Sequence, residues 1–241
     1  MAIEAEDAPA ELERANADLE AFAELTAHEL LEPVRKLQMF GDLLKPGSGA
    51  SPEEVLEYAG LMQDAARRLG RLVQDILHFS SVRSAAGAFE PVALDETAAE
   101  AAAEYTAEAA RAGGSLEIGP LPTVSGDRRQ LKQLFGNLLA NALKFRRPGD
   151  PPRVSVRARA AGEGAAAIEV TDNGIGFDAA YAEAVFEPFK RLHRRTDYEG
   201  TGLGLAICSR IAARHGGSLR ARSVPGQGSV FTILLPTVRG V

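Results

Sequence analysis

The chain has 241 residues, 45% of them apolar and 25% charged, a globular composition with length for one large or two small domains, which excludes disorder and a core too small to form. Net charge is -6 but uneven: residues 1–88 hold 8 Lys/Arg against 16 Asp/Glu and residues 89–241 hold 19 against 17, so no basic excess favours nucleic acid. Apolar runs such as Phe231-Thr232-Ile233-Leu234-Leu235 are too short to span a bilayer, the acidic N-terminus lacks a secretory layout, and the single Cys208 excludes an internal disulfide and a cysteine-based zinc site, as in a reducing cytoplasm.

Residues 9–45 read as one long helix, rich in Ala, Glu, Leu and Arg and interrupted only by Pro33. Leu12, Leu19, Thr26, Pro33 and Phe40 recur every seven residues, as do Ala23, Leu30, Leu37 and Leu44, which predicts a heptad seam. The stretch 45–52 is a break, followed by Ser51 as N-cap, Pro52 at the first helical position and Glu54 completing a capping box. A second helix runs to about Val82. Two long helices joined by a short loop form an antiparallel hairpin, and a lone hairpin cannot cover its apolar stripe, so a homodimer forming a four-helix bundle is expected. Seam residues from Leu12 suit a coiled coil continuing from upstream.

Residues 85–88 form a linker between a first domain, 1–84, and a second, 89–241. In the second, helices are predicted near 95–112, 127–145 and 202–215, with strands near 115–118, 123–125, 154–157, 167–170, 218–223 and 229–235. A loop region with a short helix fills 172–200. This mixture, with antiparallel strands, reads as an α/β sandwich, and the whole chain as α+β.

Three constellations in the second domain carry chemistry. Asp172-Asn173-Gly174-Ile175-Gly176-Phe177 follows a strand, with glycines that let backbone approach a ligand. Gly200-Thr201-Gly202-Leu203-Gly204-Leu205 opens a helix whose amides favour anions such as phosphate. On the 127–145 helix, Asn137, Asn141 and Lys144 share one face, while Leu131, Leu134, Leu138, Ala142 and Phe145 form a neighbouring stripe expected to be buried. An Asn amide oxygen can ligate Mg²⁺ alongside phosphate oxygens and water.

Together these motifs resemble the Bergerat-type ATP-binding domain shared by sensor histidine kinases, DNA gyrase, mismatch-repair ATPases and the ninety-kilodalton chaperones, over residues 90–237. Phe186-Glu187-Pro188-Phe189 matches the phenylalanine motif of the kinases. The resemblance implies that Asp172 accepts a hydrogen bond from the adenine amino group and that Asn141 holds Mg²⁺. It also implies that residues 178–200 form a lid whose Lys190, Arg191, Arg194 and Arg195 face the phosphates or simply form a solvated basic loop. Hydrolysing relatives carry a water-activating Glu where this chain has Asn137, and Asn cannot act as a general base. Transfer to another acceptor is therefore favoured over hydrolysis.

Of the four histidines, His28 lies nine residues from Leu19, half a turn from the seam, and so faces solvent. Glu29 follows it, and Pro33 lacks the amide that the Glu29 carbonyl would accept, so the helix should loosen there. The string Thr26-Ala27-His28-Glu29-Leu30-Leu31-Glu32-Pro33-Val34-Arg35 resembles the phosphoacceptor box of histidine kinases, in its phytochrome-type form, as do Phe189-Lys190-Arg191-Leu192-His193 and Tyr198-Glu199-Gly200. The resemblance implies a two-component protein-histidine kinase. His28 attacks the γ-phosphate of ATP with Glu29 as the base on its other ring nitrogen. The phosphoryl group then passes to an Asp of a response regulator, and an upstream sensory domain or a sensor partner supplies the input. Glu32 stands where dephosphorylating kinases carry Thr or Asn, so weak or absent phosphatase activity is expected. The alternative is a histidine phosphotransfer or scaffold protein with a vestigial nucleotide domain, in which such glycine motifs tend to be lost. His78 and His215 are expected to be structural, His215 as a cation at a helix C-terminus, and Cys208 to be buried.

Overall fold

The computed structural model describes residues 4–45, 49–84, 89–160, 162, 164–193 and 198–237. The chain divides into two compact units, Met1–Leu77 and His78–Val241.

The first unit is built from α1 (Glu4–Leu43) and most of α2 (Pro52–Ser84). α1 continues without interruption through Pro33. The capping box forms: Ser51 N donates to Glu54 Oε2 at 2.8 Å and Glu54 N donates to Ser51 Oγ at 3.2 Å, satisfying two amides that a helix start leaves open. The helices pair antiparallel, with the Phe40 and Tyr58 rings stacked at 5.9 Å and Arg68 reaching Glu29 and Glu32. Pro33, Ala65 and Leu72 are buried, and Thr26, Leu30, Leu37 and Phe40 are half-buried. Leu19, although in the heptad register, is exposed, as are Leu25, Leu31, Met39, Leu56 and Leu77. Leu12 lies among residues whose side chains are outside the described set.

The second unit holds a five-stranded sheet in the order β2-β4-β5-β7-β6 and a two-stranded sheet β1-β3. The strands are β1 (Glu90–Ala93), β2 (Ser115–Ile118), β3 (Thr123–Gly126), β4 (Arg153–Ala160), β5 (Ala165–Asp172), β6 (Ser218–Val224) and β7 (Gly228–Pro236). All pairings are antiparallel except β2 with β4, which is parallel; the antiparallel expectation holds for four of five. Alternation in β6 and β7 buries Leu219, Ala221, Phe231, Ile233 and Leu235 on one face. Helices α5 (Arg128–Lys144) and α6 (Gly204–Arg214) cover that face with Leu131, Leu134, Leu138, Leu139, Ile207 and Ile211. The opposite face carries cross-strand ion pairs such as Arg159–Glu169 at 2.9 Å. The predicted 95–112 helix is two helices, α3 (Leu94–Ala103) and α4 (Thr106–Arg111), broken at Glu104 and Tyr105. The short helix within 172–200 is two 3₁₀ turns, Ala179–Tyr181 and Ala184–Phe186. The proposed linker 85–88 lies outside the described residues.

Candidate nucleotide and phosphoacceptor sites

In the second unit the three constellations converge at the C-terminal half of α5. That helix starts where Asp127 caps it, accepting from Arg129 N and Gln130 N. Leu131, Leu134, Leu138 and Ala142 go into the core as their spacing dictates, which leaves Asn137, Asn141 and Lys144 half-buried on the adjoining face. Asn137 Nδ2 donates to the Gly204 carbonyl at 3.3 Å, tying α5 to the start of α6. Phe145 departs from the expected buried stripe. As the C-cap residue it is half-buried, 4.9 Å from the Tyr198 ring and 5.8 Å from His193. Lys144 Nζ lies 4.4 Å from the Phe145 ring centroid. A side chain at Gly200 would come within 2.7 Å of that amine, so the lysine sits against the second glycine motif.

Asp172 ends β5. Its Oδ1 accepts from Gly174 N at 2.8 Å and Ser229 N at 3.2 Å, which leaves Oδ2 to accept a ligand donor. Burial raises its carboxyl above the ordinary range, more than those two backbone donors lower it. Gly176 has φ +62°, and a Cβ there would lie 2.1 Å from the Val224 carbonyl oxygen; only glycine fits. Gly174 presses on the Phe145 carbonyl, which accepts from Ile175 N at 2.9 Å. Asn173 faces elsewhere, bridging Arg153 N and the Pro151 carbonyl.

Phe186 anchors the phenylalanine motif edge-on against Phe231. Phe189 adopts φ +63°, unusual for a bulky residue, and its backbone lies against Gly202, itself at φ +81°. Thr201 is buried and its Oγ1 accepts from Leu203 N at 3.3 Å. Leu203 is fully buried at the N-cap of α6. Nothing stands within 4 Å of where a Gly204 Cβ would be, so packing does not demand glycine there and the helix start keeps open space. Of the basic residues expected in the lid, Lys190 pairs with Glu187 at 3.5 Å, and Arg191 donates to the carbonyls of Tyr198 and Gly200. Arg194 and Arg195 lie outside the described residues.

These donors suit a nucleotide. The first-turn amides of α6 and the Lys144 amine offer positive charge to phosphate. No group of three or more His, Cys, Asp or Glu that could cage a metal occurs among the described residues. A neutral amide oxygen such as that of Asn141 has the chemistry to join a cation held mainly by phosphate oxygens and water, as Mg²⁺ is.

In the first unit His28 is 76% exposed and its Nδ1 lies 3.9 Å from Glu29 Oε1, beyond a hydrogen bond. Glu29 is largely buried and held by Arg68 at 2.9 Å. The sequence reading missed Arg68. Hairpin arithmetic could have found it, because a turn centred near residue 48 sets residue 29 opposite residue 68. His78 is exposed near the end of α2. His215 is structural but not a cation: Nδ1 donates to the Ile211 carbonyl at 2.8 Å, Nε2 accepts from Asp127 N at 3.0 Å, and burial lowers its pKa. Cys208 is fully buried, its thiol pushed up to about 12 by burial.

Two family models match the chain. The His Kinase A (phospho-acceptor) domain covers residues 18–85, and the histidine kinase-, DNA gyrase B- and HSP90-like ATPase covers residues 126–239. Phytochrome-like protein Cph1 of Synechocystis sp. is 35% identical over 227 residues, 93% of this chain and 30% of its own length. Among solved structures, the mycobacterial sensor histidine kinase MprB is 31% identical with a TM-score of 0.53, over 61% of this chain and 97% of that one. Full-length ShkA in complex with AMPPNP is 28% identical with a TM-score of 0.62, over 92% of this chain and 47% of that one. The chain belongs to the sensor histidine kinase family and carries its catalytic core, a phosphoacceptor hairpin followed by an ATP-binding domain, with phytochrome-type kinases among its relatives. It spans about a third of the length of Cph1 and of the two cyanobacterial phytochromes of Nostoc sp. that it also matches.

Proposed function

We propose that the chain phosphorylates itself on His28 from ATP and passes the phosphoryl group to an Asp of a response regulator. The observation that carries this reading is the gathering of Asn137, Lys144, Asp172 and the Gly200–Gly204 segment around the C-terminal half of α5, with Asn141 on the same helix face, in a chain that also exposes His28 beside Glu29. Domain bounds of 1–84 and 89–241, joined by 85–88, fit this division.

Asp172 Oδ2 accepts from the adenine amino group, while Gly174 and Gly176 keep side chains out of its path. The amides of Gly202 and Gly204, with Thr201 bracing the turn by accepting from Leu203 N, and the amine of Lys144 face the phosphates. Lys190 and Arg191 reach them after leaving their present partners in the lid. Asn141 supplies the protein oxygen for Mg²⁺, whose chemistry is neutralisation of phosphate charge. Asn137 holds the α6 start in place and offers no base to a water, which favours transfer over hydrolysis. Glu29 takes the Nδ1 proton of His28, which leaves Nε2 as the nucleophile.

Leu25, Leu31, Met39, Leu56 and Leu77 expose apolar surface on both helices of the hairpin. A second copy would bury that surface in a four-helix bundle, so we assign the working state as a homodimer and a phosphoprotein. No described helix is long and apolar enough to cross a membrane, and a cytoplasmic site of action fits the unpaired Cys208.

The test is incubation with γ-labelled ATP and Mg²⁺ for the natural protein and His28→Gln, followed by acid and alkali. Acid-labile, alkali-stable label that vanishes in the variant is expected. Label of equal amount in both proteins contradicts the assignment of His28.

A further inference from the structure

Arg68 lies on α2, opposite the phosphoacceptor turn of α1. Its side chain is only 15% exposed, a level that arginine rarely reaches without partners. Its two terminal nitrogens take separate carboxylates: Nη2 donates to Glu29 Oε2 at 2.9 Å and Nη1 to Glu32 Oε1 at 3.4 Å. Its third nitrogen, Nε, is buried with no hydrogen-bond partner. Lys36 pairs with Glu32 at 3.7 Å from the other side. A buried guanidinium with one donor unpaired is a poor way to stabilise a hairpin, where an apolar side chain of similar size would serve. Its placement needs a reason beyond packing.

The geometry supplies one. Glu29 has two carboxylate oxygens, and Arg68 occupies one of them while the other, Oε1, faces Nδ1 of His28. Without the guanidinium the carboxylate could rotate away from the imidazole. Two glutamates one helical turn apart beside the acceptor would also repel an incoming phosphoryl anion, and Arg68 with Lys36 balances them charge for charge.

We infer that Arg68 is a positioning residue for phosphorylation of His28, acting through Glu29: it fixes the carboxylate that faces Nδ1 and cancels the acidic charge where the phosphoryl group arrives. This rests on the reading of His28 as acceptor and Glu29 as base. The fork of an arginine suits the task because it holds two carboxylates in a fixed relation, which a lysine cannot.

The experiment measures label uptake from γ-labelled ATP by the full chain as natural protein, Arg68→Gln, Arg68→Lys, Glu29→Gln and the Glu29→Gln/Arg68→Gln double variant. Imidazole nitrogen chemical shifts of His28 are recorded on histidine-labelled samples. Arg68→Gln is expected to slow uptake about 10- to 100-fold with the KM for ATP within about twofold of the natural value. Arg68→Lys should fall between. In the Glu29→Gln background the arginine change should cost less than about twofold more, because its effect passes through that carboxylate. The His28 ring should move away from the Nδ1–H tautomer when Arg68 is removed. Uptake in Arg68→Gln equal to or faster than natural overturns the inference, as does a full further loss in the Glu29→Gln background, which would mark a merely structural arginine. If the natural protein itself takes up no label, the kinase reading fails, and an unchanged His28 tautomer in Arg68→Gln then overturns the positioning role separately.

Discussion

The two units hold their chemistry in opposite ways. In the α/β unit the residues we assign to the nucleotide are fixed by close-packed backbone: Gly176 against the Val224 carbonyl, Gly202 against Phe189, Asp172 locked by two amides. In the hairpin the ring of His28, the acceptor we propose, stands 76% exposed on a helix surface, with Glu29 3.9 Å from it and Arg68 holding that carboxylate from behind. A site that must grip a nucleotide is built into a core. A histidine that must receive a phosphoryl group and then present it to a second protein has to stay accessible, so its supports lie behind it.

That contrast can be broken from either side. The largest effect belongs to the hairpin: Glu29→Gln removes the base we propose, and label uptake should fall about 10²- to 10⁴-fold with nucleotide affinity unchanged. Next comes Asp172→Asn. An amide oxygen can still accept from Gly174 and Ser229, but it pairs poorly with an adenine amino group, and a hydrogen bond to a charged partner contributes about 1.5–3 kcal/mol. Binding of a fluorescent ATP analogue should weaken roughly 10- to 100-fold. The direction of the carboxyl shift adds a second expectation. Because burial raises the folded-state pKa of Asp172, the ionised group costs stability at neutral pH, so urea unfolding of Asp172→Asn should show stability equal to or above natural.

The glycines give a sharper pair. Gly176→Ala places a methyl on a carbonyl oxygen at a left-handed φ and should lower stability of the second unit by about 2 kcal/mol or more. Gly204→Ala meets no neighbour and should leave stability unchanged or raise it by up to about 1 kcal/mol, while nucleotide affinity falls because the methyl enters the phosphate space. Equal destabilisation by both would break the distinction between a glycine the fold needs and one the ligand needs.

The smallest effect is a pH slope. His215 is neutral in the fold with its pKa lowered from 6.5, so the unfolded chain binds the proton more readily. Its stabilisation is complete above about 6.5 and is lost as pH falls through the folded-state value. Chemical denaturation at falling pH should show this decline, reduced in His215→Gln.

Much of the second unit was legible because its chemistry needs unusual local sequence. Glycines at positive φ, an Asn-Asn-Lys face beside a leucine stripe and alternating strands all leave marks within a few residues. What stayed hidden depends on partners distant in sequence. Strand β1 has four residues and exists through pairing with β3. The β2–β4 pairing is parallel across an intervening helix, and nothing in either strand encodes direction. The break between α3 and α4 falls at Tyr105, with no glycine or proline to announce it. Phe145 matched the leucine stripe by spacing, yet it caps the helix and turns to His193 and Tyr198. His215 matched a helix-end cation by position, yet its ring accepts from the Asp127 amide 88 residues away in sequence. Arg68 is the same case in the hairpin.

One measurement reaches the centre of this account: ATP affinity and phosphoryl uptake determined on the same sample of His28→Gln. The division of labour predicts an affinity within about twofold of the natural protein and no acid-labile label. Label retained on the variant, or affinity lost along with it, would contradict that division.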